Sequence, residues 1–262
     1  MIKAKKSLGQ NFLIDRNIID RITNSVTVQN RTLLEVGPGT GNLTSALLKK
    51  NPKKFFVVEK DDELISSLEK KFKDEITIIH DDILSFNENF LSKDKLVVFG
   101  NLPYNISTEI LCKWILNLDD KKIWFYNLVL MFQKEVANRI LASSNSSDYG
   151  RLSVIANWKL NIKKIIDIKP ASFFPKPKVE SSLLIFSPKK NFLKLKYPSN
   201  LEKITRIFFN HRRKMIKKPF NQIFSGNTKI LNKLNINLNL RPQNLDFETY
   251  YKLAEEYENL GS

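Results

Sequence analysis

The first part of the chain alternates short apolar runs with amphipathic segments. Five apolar runs, rich in β-branched residues, have the length of strands buried on both faces: 32–37, 55–59, 76–80, 95–100 and 127–132. The amphipathic segments predict helices over 44–50, 62–72, 107–116 and 134–143. Alternation of strand and helix is typical of an α/β fold with a mostly parallel, doubly wound sheet.

Two further apolar runs follow a polar loop that ends at Gly150. They are "RLSVIANWKL" (151–160) and "SSLLIFS" (181–187), joined by a proline-rich connection. Without an obvious long helix between them, we predict that they pair as an antiparallel hairpin at the edge of the sheet.

The pattern becomes helical beyond a boundary near residues 187–190. A stripe of mostly apolar side chains recurs at three- and four-residue spacing: Leu201, Ile204, Phe208, His211 and Met215. Ser199 and Glu202 predict a capping box at the start of this helix, and Pro219 predicts its end. We therefore predict two domains, a sheet domain over 1–188 and a small all-helical domain over 189–262.

Composition limits the classes of protein that this chain can belong to. Apolar residues make up 42% of its 262 residues, which is typical of a globular protein. The longest apolar runs are too short to span a bilayer, and the basic N-terminus has no apolar signal core. One cysteine and two histidines fit a reducing compartment and make a protein-built zinc site improbable. We expect a cytoplasmic, monomeric protein with no membrane partner and no metal.

The net charge of +16 points to a polyanionic partner. Residues 189–262 hold 15 Lys and Arg against 6 Asp and Glu, and 203–218 holds seven cations and no acid. Within that cluster we predict phosphate contacts by Arg212, Arg213, Lys214 and Lys217. The alternative is that these cations only solvate one face of a packed helix, or that Arg212 anchors the domain through a buried pair.

A glycine-rich segment follows the first predicted strand. Gly37, Gly39 and Gly41 have the spacing G-x-G-x-G and let the backbone approach a ligand. Glu59 ends the next strand, where an acid can accept both hydroxyls of a ribose. Asp81 or Asp82 ends the strand after that and is suited to an adenine amino group. No phosphate-binding cation follows the glycines, so the pattern favours S-adenosylmethionine, with a nicotinamide dinucleotide as the alternative.

The fourth strand ends on Asn101, Leu102, Pro103 and Tyr104 at the same predicted edge. The Asn101 side-chain carbonyl and the Leu102 backbone carbonyl can accept the two hydrogens of an adenine amine. Such bonds favour a pyramidal nitrogen whose lone pair is free to attack a methyl group. Pro103 fixes the turn, and Tyr104 offers a face for a base removed from its stack. This pattern predicts an adenine-N6 methyltransferase.

At this point the chain resembles the small-subunit ribosomal RNA adenine dimethyltransferases, the kasugamycin-sensitivity (KsgA) family. The matching segments run nearly end to end: "KSLGQNFL" (6–13), "EVGPGTGNLT" (35–44), "VVEKD" (57–61), "FGNLPYNIS" (99–107), "YGRLSV" (149–154), "FFPKPKVESS" (173–182) and "FNHRRKMI" (209–216). The resemblance implies a Rossmann-like class I methyltransferase domain and a small helical C-terminal domain. It also implies dimethylation of two adjacent adenosines in the 3′-terminal hairpin loop of 16S rRNA, within a precursor of the small ribosomal subunit.

The resemblance also implies roles for individual residues. Asn11 and Leu13 match residues that line the cofactor pocket, with Gly37 at the glycine loop and Glu59 at the ribose. Asp82 rather than Asp81 matches the adenine contact, and Asn101 meets both cofactor and target amine. Phe173 matches the aromatic that sandwiches the target base against Tyr104, although Phe174 is its neighbour and either could belong to the core.

Three other functions compete with this interpretation. A DNA adenine methyltransferase usually carries D/N-P-P-Y and a target-recognition domain. A large-subunit rRNA dimethyltransferase of the macrolide-resistance type is closer, but "FNHRRK" and the F-x-P-x-P-K-V-x-S pattern fit the small-subunit family better. A non-catalytic RNA-binding role fits the fold, whereas the intact N-L-P-Y argues for catalysis.

Overall fold

The computed structural model of the chain describes residues 5, 9–88, 91–118 and 122–260. Its strands are β1 (Phe12–Leu13), β2 (Thr32–Val36), β3 (Lys54–Glu59), β4 (Thr77–His80), β5 (Leu96–Gly100), β6 (Phe125–Gln133), β7 (Leu160–Ile168), β8 (Phe173–Phe174) and β9 (Ser181–Pro188). Its helices are α1 (Arg16–Thr23), α2 (Asn42–Leu48), α3 (Asp62–Phe72), α4 (Ser107–Leu116), α5 (Lys134–Leu141), α6 (Arg151–Lys159), α7 (Ser199–Phe209), α8 (Lys217–Phe224), α9 (Thr228–Leu234) and α10 (Phe247–Leu260).

Seven strands form one sheet in the order β4-β3-β2-β5-β6-β9-β7. The pairs β2–β3, β3–β4, β2–β5 and β5–β6 are parallel, whereas β9 runs antiparallel to β6. Strands β2 and β5 are buried along their whole length, as their continuous apolar runs predict. The predicted α/β sheet, mostly parallel with an antiparallel strand towards one edge, is confirmed.

The predicted edge hairpin is wrong in its first half. Residues 151–159 form helix α6, and the strand is β7, which begins only at Leu160. A run that is apolar on nearly every side does not reveal its period, so helix and strand cannot be told apart from the pattern. The helix is favoured at its start by Ser153, whose Oγ accepts from the Gly150 amide at 3.0 Å and donates to the Arg139 carbonyl at 2.5 Å.

The described residues group into two compact units. The first comprises those up to 113, from 118 to 137 and from 161 to 188, and the second those from 114 to 117, from 138 to 160 and from 189 onwards. The segment 138–160 thus groups with the second unit, whereas the sequence pattern assigned it to 1–188. In the described part of the chain, no helix is long and apolar enough to cross a membrane.

An aromatic cluster forms the core of the second unit. The rings of Phe208 and Phe209 lie 5.8 and 5.3 Å from that of Tyr250, in edge-on and stacked geometry. The Tyr251 hydroxyl donates to the Val154 carbonyl at 3.1 Å, which ties α10 to α6. These contacts explain why α6 belongs to this unit.

The helix predicted from Ser199 through Met215 is shorter than expected. Pro198 is its N-cap and no side chain caps it, so the predicted capping box is absent; Glu202 instead pairs with Arg151 at 2.5 Å. Helix α7 ends at Phe209, and His211 and Met215 are exposed.

A turn separates α7 from α8. The Lys214 amide donates to the His211 carbonyl at 2.8 Å, and the amide of the buried Ile216 donates to the Leu240 carbonyl at 2.8 Å. Pro219 lies in the first turn of α8, where a missing amide proton costs nothing, so it begins a helix rather than ending one.

Candidate functional site

A cavity of about 390 Å³ lies at the carboxyl ends of the parallel strands in the first unit. The chain leaves β2 towards β3 on one side and later returns to β5 on the other, so the cavity lies at the point where the strand order reverses. Ligands of open α/β sheets bind at such a point. The lining includes ten of the residues predicted for cofactor and target: Asn11, Leu13, Gly37, Gly39, Glu59, Asp82, Asn101, Leu102, Pro103 and Tyr104.

The glycine loop after β2 forms one wall of this cavity. Gly37 and Gly39 adopt φ values of +67° and +57°, which side chains with a Cβ rarely tolerate. A Cβ on Gly39 would lie 2.7 Å from Cδ1 of Phe12, so a side chain does not fit there. The Lys71 ammonium donates to the Thr40 carbonyl at 2.9 Å and holds the loop from behind. The loop therefore presents bare backbone to a ligand.

Glu59 lies at the end of β3 and is only 8% exposed. Its Oε1 accepts from the backbone amides of Lys60 and Asp61, at 2.9 and 3.0 Å. Burial raises the pKa of Glu59, and these amides together with that of Gly39 act in the opposite direction. The side chain is thus a fixed acceptor at the position predicted for a ribose.

Glu35 is a second buried carboxyl in the lining, and the sequence reasoning did not assign it a role. The Thr44 hydroxyl donates to its Oε2 at 2.7 Å. Burial, with a smaller contribution from the charge of Glu59, raises the pKa of Glu35 to about 7, against the opposing effects of Thr44 and Lys71. The position of Glu35 just before the glycine loop was the sequence feature that could have predicted its place in the cavity.

Asp81 and Asp82 both line the cavity after β4. Asp82 Oδ2 accepts from the Lys60 ammonium at 2.7 Å and Oδ1 from the Leu84 amide at 3.0 Å, and chiefly the bond from Lys60 lowers the pKa of Asp82. Asp81 Oδ1 accepts from the Asp82 amide at 2.6 Å. Both side chains therefore offer carboxylate oxygens to a ligand in the cavity.

Asn101 follows β5 directly and is held by the chain near the N-terminus. Its side-chain nitrogen donates to the Asn11 carbonyl at 2.6 Å. Because a carbonyl only accepts, this bond fixes which end of the amide is nitrogen and turns the oxygen Oδ1 away from Asn11. The Pro103 carbonyl then accepts from the Ile106 and Ser107 amides, at 3.1 and 3.0 Å, in the turn that starts α4.

Tyr104 is half-buried at the edge of the cavity. Its hydroxyl lies 2.5 Å from Oγ of Ser181, the first residue of β9. Burial raises the pKa of Tyr104, which keeps the phenol protonated near neutral pH. Ser181 is 77 residues further along the chain, and no sequence pattern linked it to Tyr104.

The two neighbouring aromatics Phe173 and Phe174 differ in burial, and Phe173 lies in the core. Its ring is 2% exposed among core residues, whereas Phe174 is 59% exposed, and neither residue is part of the cavity lining. Strand β8 pairs with β1 so that Phe173 opposes Leu13 and Phe174 opposes Phe12. Directly opposed residues share one face of a sheet. Phe174 therefore lies on the face of Phe12, which packs against the glycine loop.

Residues 9–13 line the cavity and are held by hydrogen bonds at several points. Asp61 accepts from the Lys5 ammonium at 2.6 Å and from the Gln10 side chain at 2.9 Å. The Asn42 side chain donates to the Leu13 carbonyl at 2.8 Å. Residues 6–8 of the motif "KSLGQNFL" lie outside the described residues.

The predicted phosphate-binding cations lie in the second unit, three of them on the turn from α7 to α8 and Lys217 at the first residue of α8. Arg213, Lys214 and Lys217 are exposed. Arg212 is partly buried, and its guanidinium donates to the carbonyls of Ser146 and Ser147. Arg212 thus holds the loop that precedes α6, so the four cations are not equivalent.

Comparison with known proteins identifies the family of this chain. The family model for ribosomal RNA adenine dimethylase matches residues 1–259. The ribosomal RNA small subunit methyltransferase A of Pelagibacter ubique is 62% identical over 259 residues, which are 99% of this chain and 98% of that protein.

Two solved structures resemble the fold. A dimethyladenosine transferase from Plasmodium falciparum has a TM-score of 0.81 at 27% identity, covering 95% of this chain and 98% of that one. The 23S rRNA methyltransferase ErmE has a TM-score of 0.69 at 22% identity, covering 95% of this chain and all of that one, and shares the fold. From the family match and the close relative, this chain belongs to the ribosomal RNA adenine dimethylase family.

Proposed function

We propose that this chain dimethylates N6 of two adjacent adenosines in the 3′-terminal hairpin loop of 16S rRNA, with S-adenosylmethionine as methyl donor. The observation that carries this proposal is the Asn101–Tyr104 turn, which shares one cavity with the glycine loop and Glu59. The family fixes the reaction class, and the 62% identical relative is named for the small subunit.

The residues present fit S-adenosylmethionine. Glu59 offers a fixed acceptor for the ribose, Asp82 a charged acceptor for the adenine amine, and Gly37 and Gly39 leave room for the ligand between them. Asn11 and Leu13 also line the cavity. When bound, S-adenosylmethionine supplies an electrophilic methyl group on a sulfonium.

The turn residues orient the target amine. Asn101 Oδ1, turned away from Asn11, accepts one amino hydrogen, and the Leu102 carbonyl accepts the other. An adenine amine is a poor nucleophile because its lone pair is delocalised into the ring, and these two bonds favour the pyramidal form. The proton becomes acidic only after nitrogen is alkylated, so no strong base is required beforehand.

Aromatic side chains hold the flipped base. Tyr104 supplies one face at the edge of the cavity. We assign the second aromatic contact to Phe174 in place of Phe173, because Phe174 is exposed whereas Phe173 is buried in the core. Stacking of this kind contributes about 1–3 kcal/mol per base.

The second unit binds the surrounding RNA. Arg213, Lys214 and Lys217 contact phosphates, while Arg212 maintains the loop beside them. We further propose that the substrate is a precursor of the small subunit, that the protein acts as a monomer, and that it works in the cytoplasm.

The proposal is tested by offering labelled S-adenosylmethionine with unmodified small or large ribosomal subunits in separate reactions. We expect label only in the small subunit. Transfer to the large subunit would instead support the macrolide-resistance type of activity, and binding of either subunit without transfer would support a non-catalytic role.

A further inference from the structure

The hydroxyl of Tyr104 is held by a residue for which no role has been given. Ser181 is 0% exposed and lies at the start of β9, and its Oγ is 2.5 Å from the Tyr104 oxygen. A tyrosine that only packed against the protein would need no such partner, since its hydroxyl could turn to solvent at the edge of the cavity. The bond fixes the angle at which the ring stands.

The position of Ser181 is itself fixed by the sheet. The ladder between β6 and β9 sets Ser181 opposite Gln133. The residue before it, Glu180, is fastened twice to Lys134: its carbonyl accepts from the Lys134 amide at 2.9 Å, and its carboxylate pairs with the Lys134 ammonium at 2.6 Å. Ser181 is therefore a rigid point against which a more mobile side chain can be set.

We infer that Ser181 is a positioning residue that holds the Tyr104 ring at the angle at which its face meets the target adenine. This inference rests on the proposed function, because it gives Ser181 its role through the base that Tyr104 stacks. It predicts that loss of the Ser181 hydroxyl and loss of the Tyr104 hydroxyl slow methylation to the same extent. Neither loss should change cofactor binding.

The first test is kinetic. Single-turnover methylation of saturating small subunits should be about 5- to 30-fold slower in Ser181→Ala and in Tyr104→Phe, because either variant removes the hydrogen bond that sets the ring, and losing roughly one to two kcal/mol changes a rate by that factor. The double variant should be no slower than the slower single variant, because both changes remove the same hydrogen bond. Cofactor affinity should stay at the wild-type value in all three.

Ser182→Ala is the matched control. It removes the hydroxyl of the next residue, which donates to Asp167 at 2.6 Å instead of reaching Tyr104. We expect wild-type turnover from this variant. Multiplicative losses in the double variant, or a wild-type rate in Ser181→Ala, would overturn the inference.

The second test does not depend on methylation. In ¹³C-tyrosine NMR spectra of the free protein, the Tyr104 signal, identified by its loss in Tyr104→Phe, should shift and broaden in Ser181→Ala and stay unchanged in Ser182→Ala. An unchanged Tyr104 signal in Ser181→Ala would overturn the inference even if the chain methylated a different RNA. Failure of wild-type protein to methylate small subunits would count against the proposed function alone.

Discussion

At the scale of single residues, the site depends on side chains that backbone groups hold in place. Asn101 is held by the Asn11 carbonyl and Glu59 by two amides. The sequence predicted these residues because each one directly follows or ends a buried strand, and parallel strands end at one edge. Ser181 was not predicted, because a contact across 77 residues leaves no local pattern. Which of Phe173 and Phe174 lies in the core could not be predicted, because alternation along a two-residue strand does not say which face is inside.

Substitution of Glu59 should affect the cofactor and leave the fold intact. In Glu59→Ala the charged acceptor for the ribose is lost, which should cost about 1.5–3 kcal/mol of S-adenosylmethionine binding. Isothermal titration calorimetry measures this loss, with the exposed Glu63→Ala as the matched control. Equal affinities for Glu59→Ala and the wild type would remove Glu59 from the cofactor site.

Glu35 should make stability depend on pH. Its pKa of about 7 in the folded chain lies above the ordinary 4.5, so the folded state holds this proton more tightly than the unfolded state. Its contribution is full below pH 4.5 and is lost as pH rises through 7, by up to about 3 kcal/mol. The Glu35→Gln side chain does not ionise, so this variant should not lose that stability. Its melting temperature should therefore rise relative to that of the wild type between pH 5 and pH 8. Parallel melting profiles would contradict the buried, shifted carboxyl.

At the scale of elements, periodicity predicted the long strands well and the second unit poorly. Strands β2 to β6 lie where continuous apolar runs placed them, and β2 and β5 are buried along their whole length. The edge strand β4 is exposed at both of its ends, so its apolar run did not mean burial on both faces. Helix α6 was missed because it is buried on most sides. The end of α7 was missed because an apolar stripe continued in the sequence after the backbone had turned.

The two residues of β8 should respond differently to substitution, because Phe173 lies in the core and Phe174 is exposed. Phe173→Ala should lower the free energy of unfolding by about 3–5 kcal/mol, because it removes a fully buried ring. Phe174→Ala should leave the unfolding free energy near the wild-type value and slow single-turnover methylation. Urea unfolding and turnover, measured on both variants, test this, and the reverse pattern would return the stacking role to Phe173.

The turn between α7 and α8 should contribute to salt-dependent RNA binding. Replacing Arg213, Lys214 and Lys217 with glutamine should reduce the slope of log affinity against log salt by roughly one per lost phosphate contact. The exposed Lys70, Lys73 and Lys93 of the first unit, replaced together, provide a control with equal loss of charge. Equal slopes for the two triple variants would mean that these three cations act only through the total positive charge and make no specific phosphate contacts.

Arg212 should behave differently from its neighbours. Because its guanidinium holds the carbonyls of Ser146 and Ser147, Arg212→Gln should lower the melting temperature. An unchanged melting temperature together with a smaller slope of log affinity against log salt would instead indicate that Arg212 contacts RNA.

At the scale of the whole molecule, the first unit holds the cavity, and residues 189–262 are the more densely basic part of the chain. Those residues hold 15 Lys and Arg against 6 Asp and Glu, whereas 1–188 holds 28 against 21. An enzyme that meets every adenosine in the cell cannot select by its base pocket alone, so selection requires contacts with folded RNA outside the pocket. The net charge predicted a polyanionic partner such as RNA. Composition could not show which of the cations contact it.

The most direct test of the account is nucleoside analysis of 16S rRNA after reaction with the wild-type chain and with Asn101→Ala. Unmodified small subunits are incubated with S-adenosylmethionine and each protein, and the 3′-terminal fragment is analysed by mass spectrometry. Asn24→Ala, an exposed asparagine outside the cavity, is the control. We predict two adjacent N6,N6-dimethyladenosines with the wild type and the control, and unmodified adenosines with Asn101→Ala despite retained subunit binding. Dimethyladenosine formed by Asn101→Ala at near the wild-type rate, or none formed by the wild type, would contradict the account.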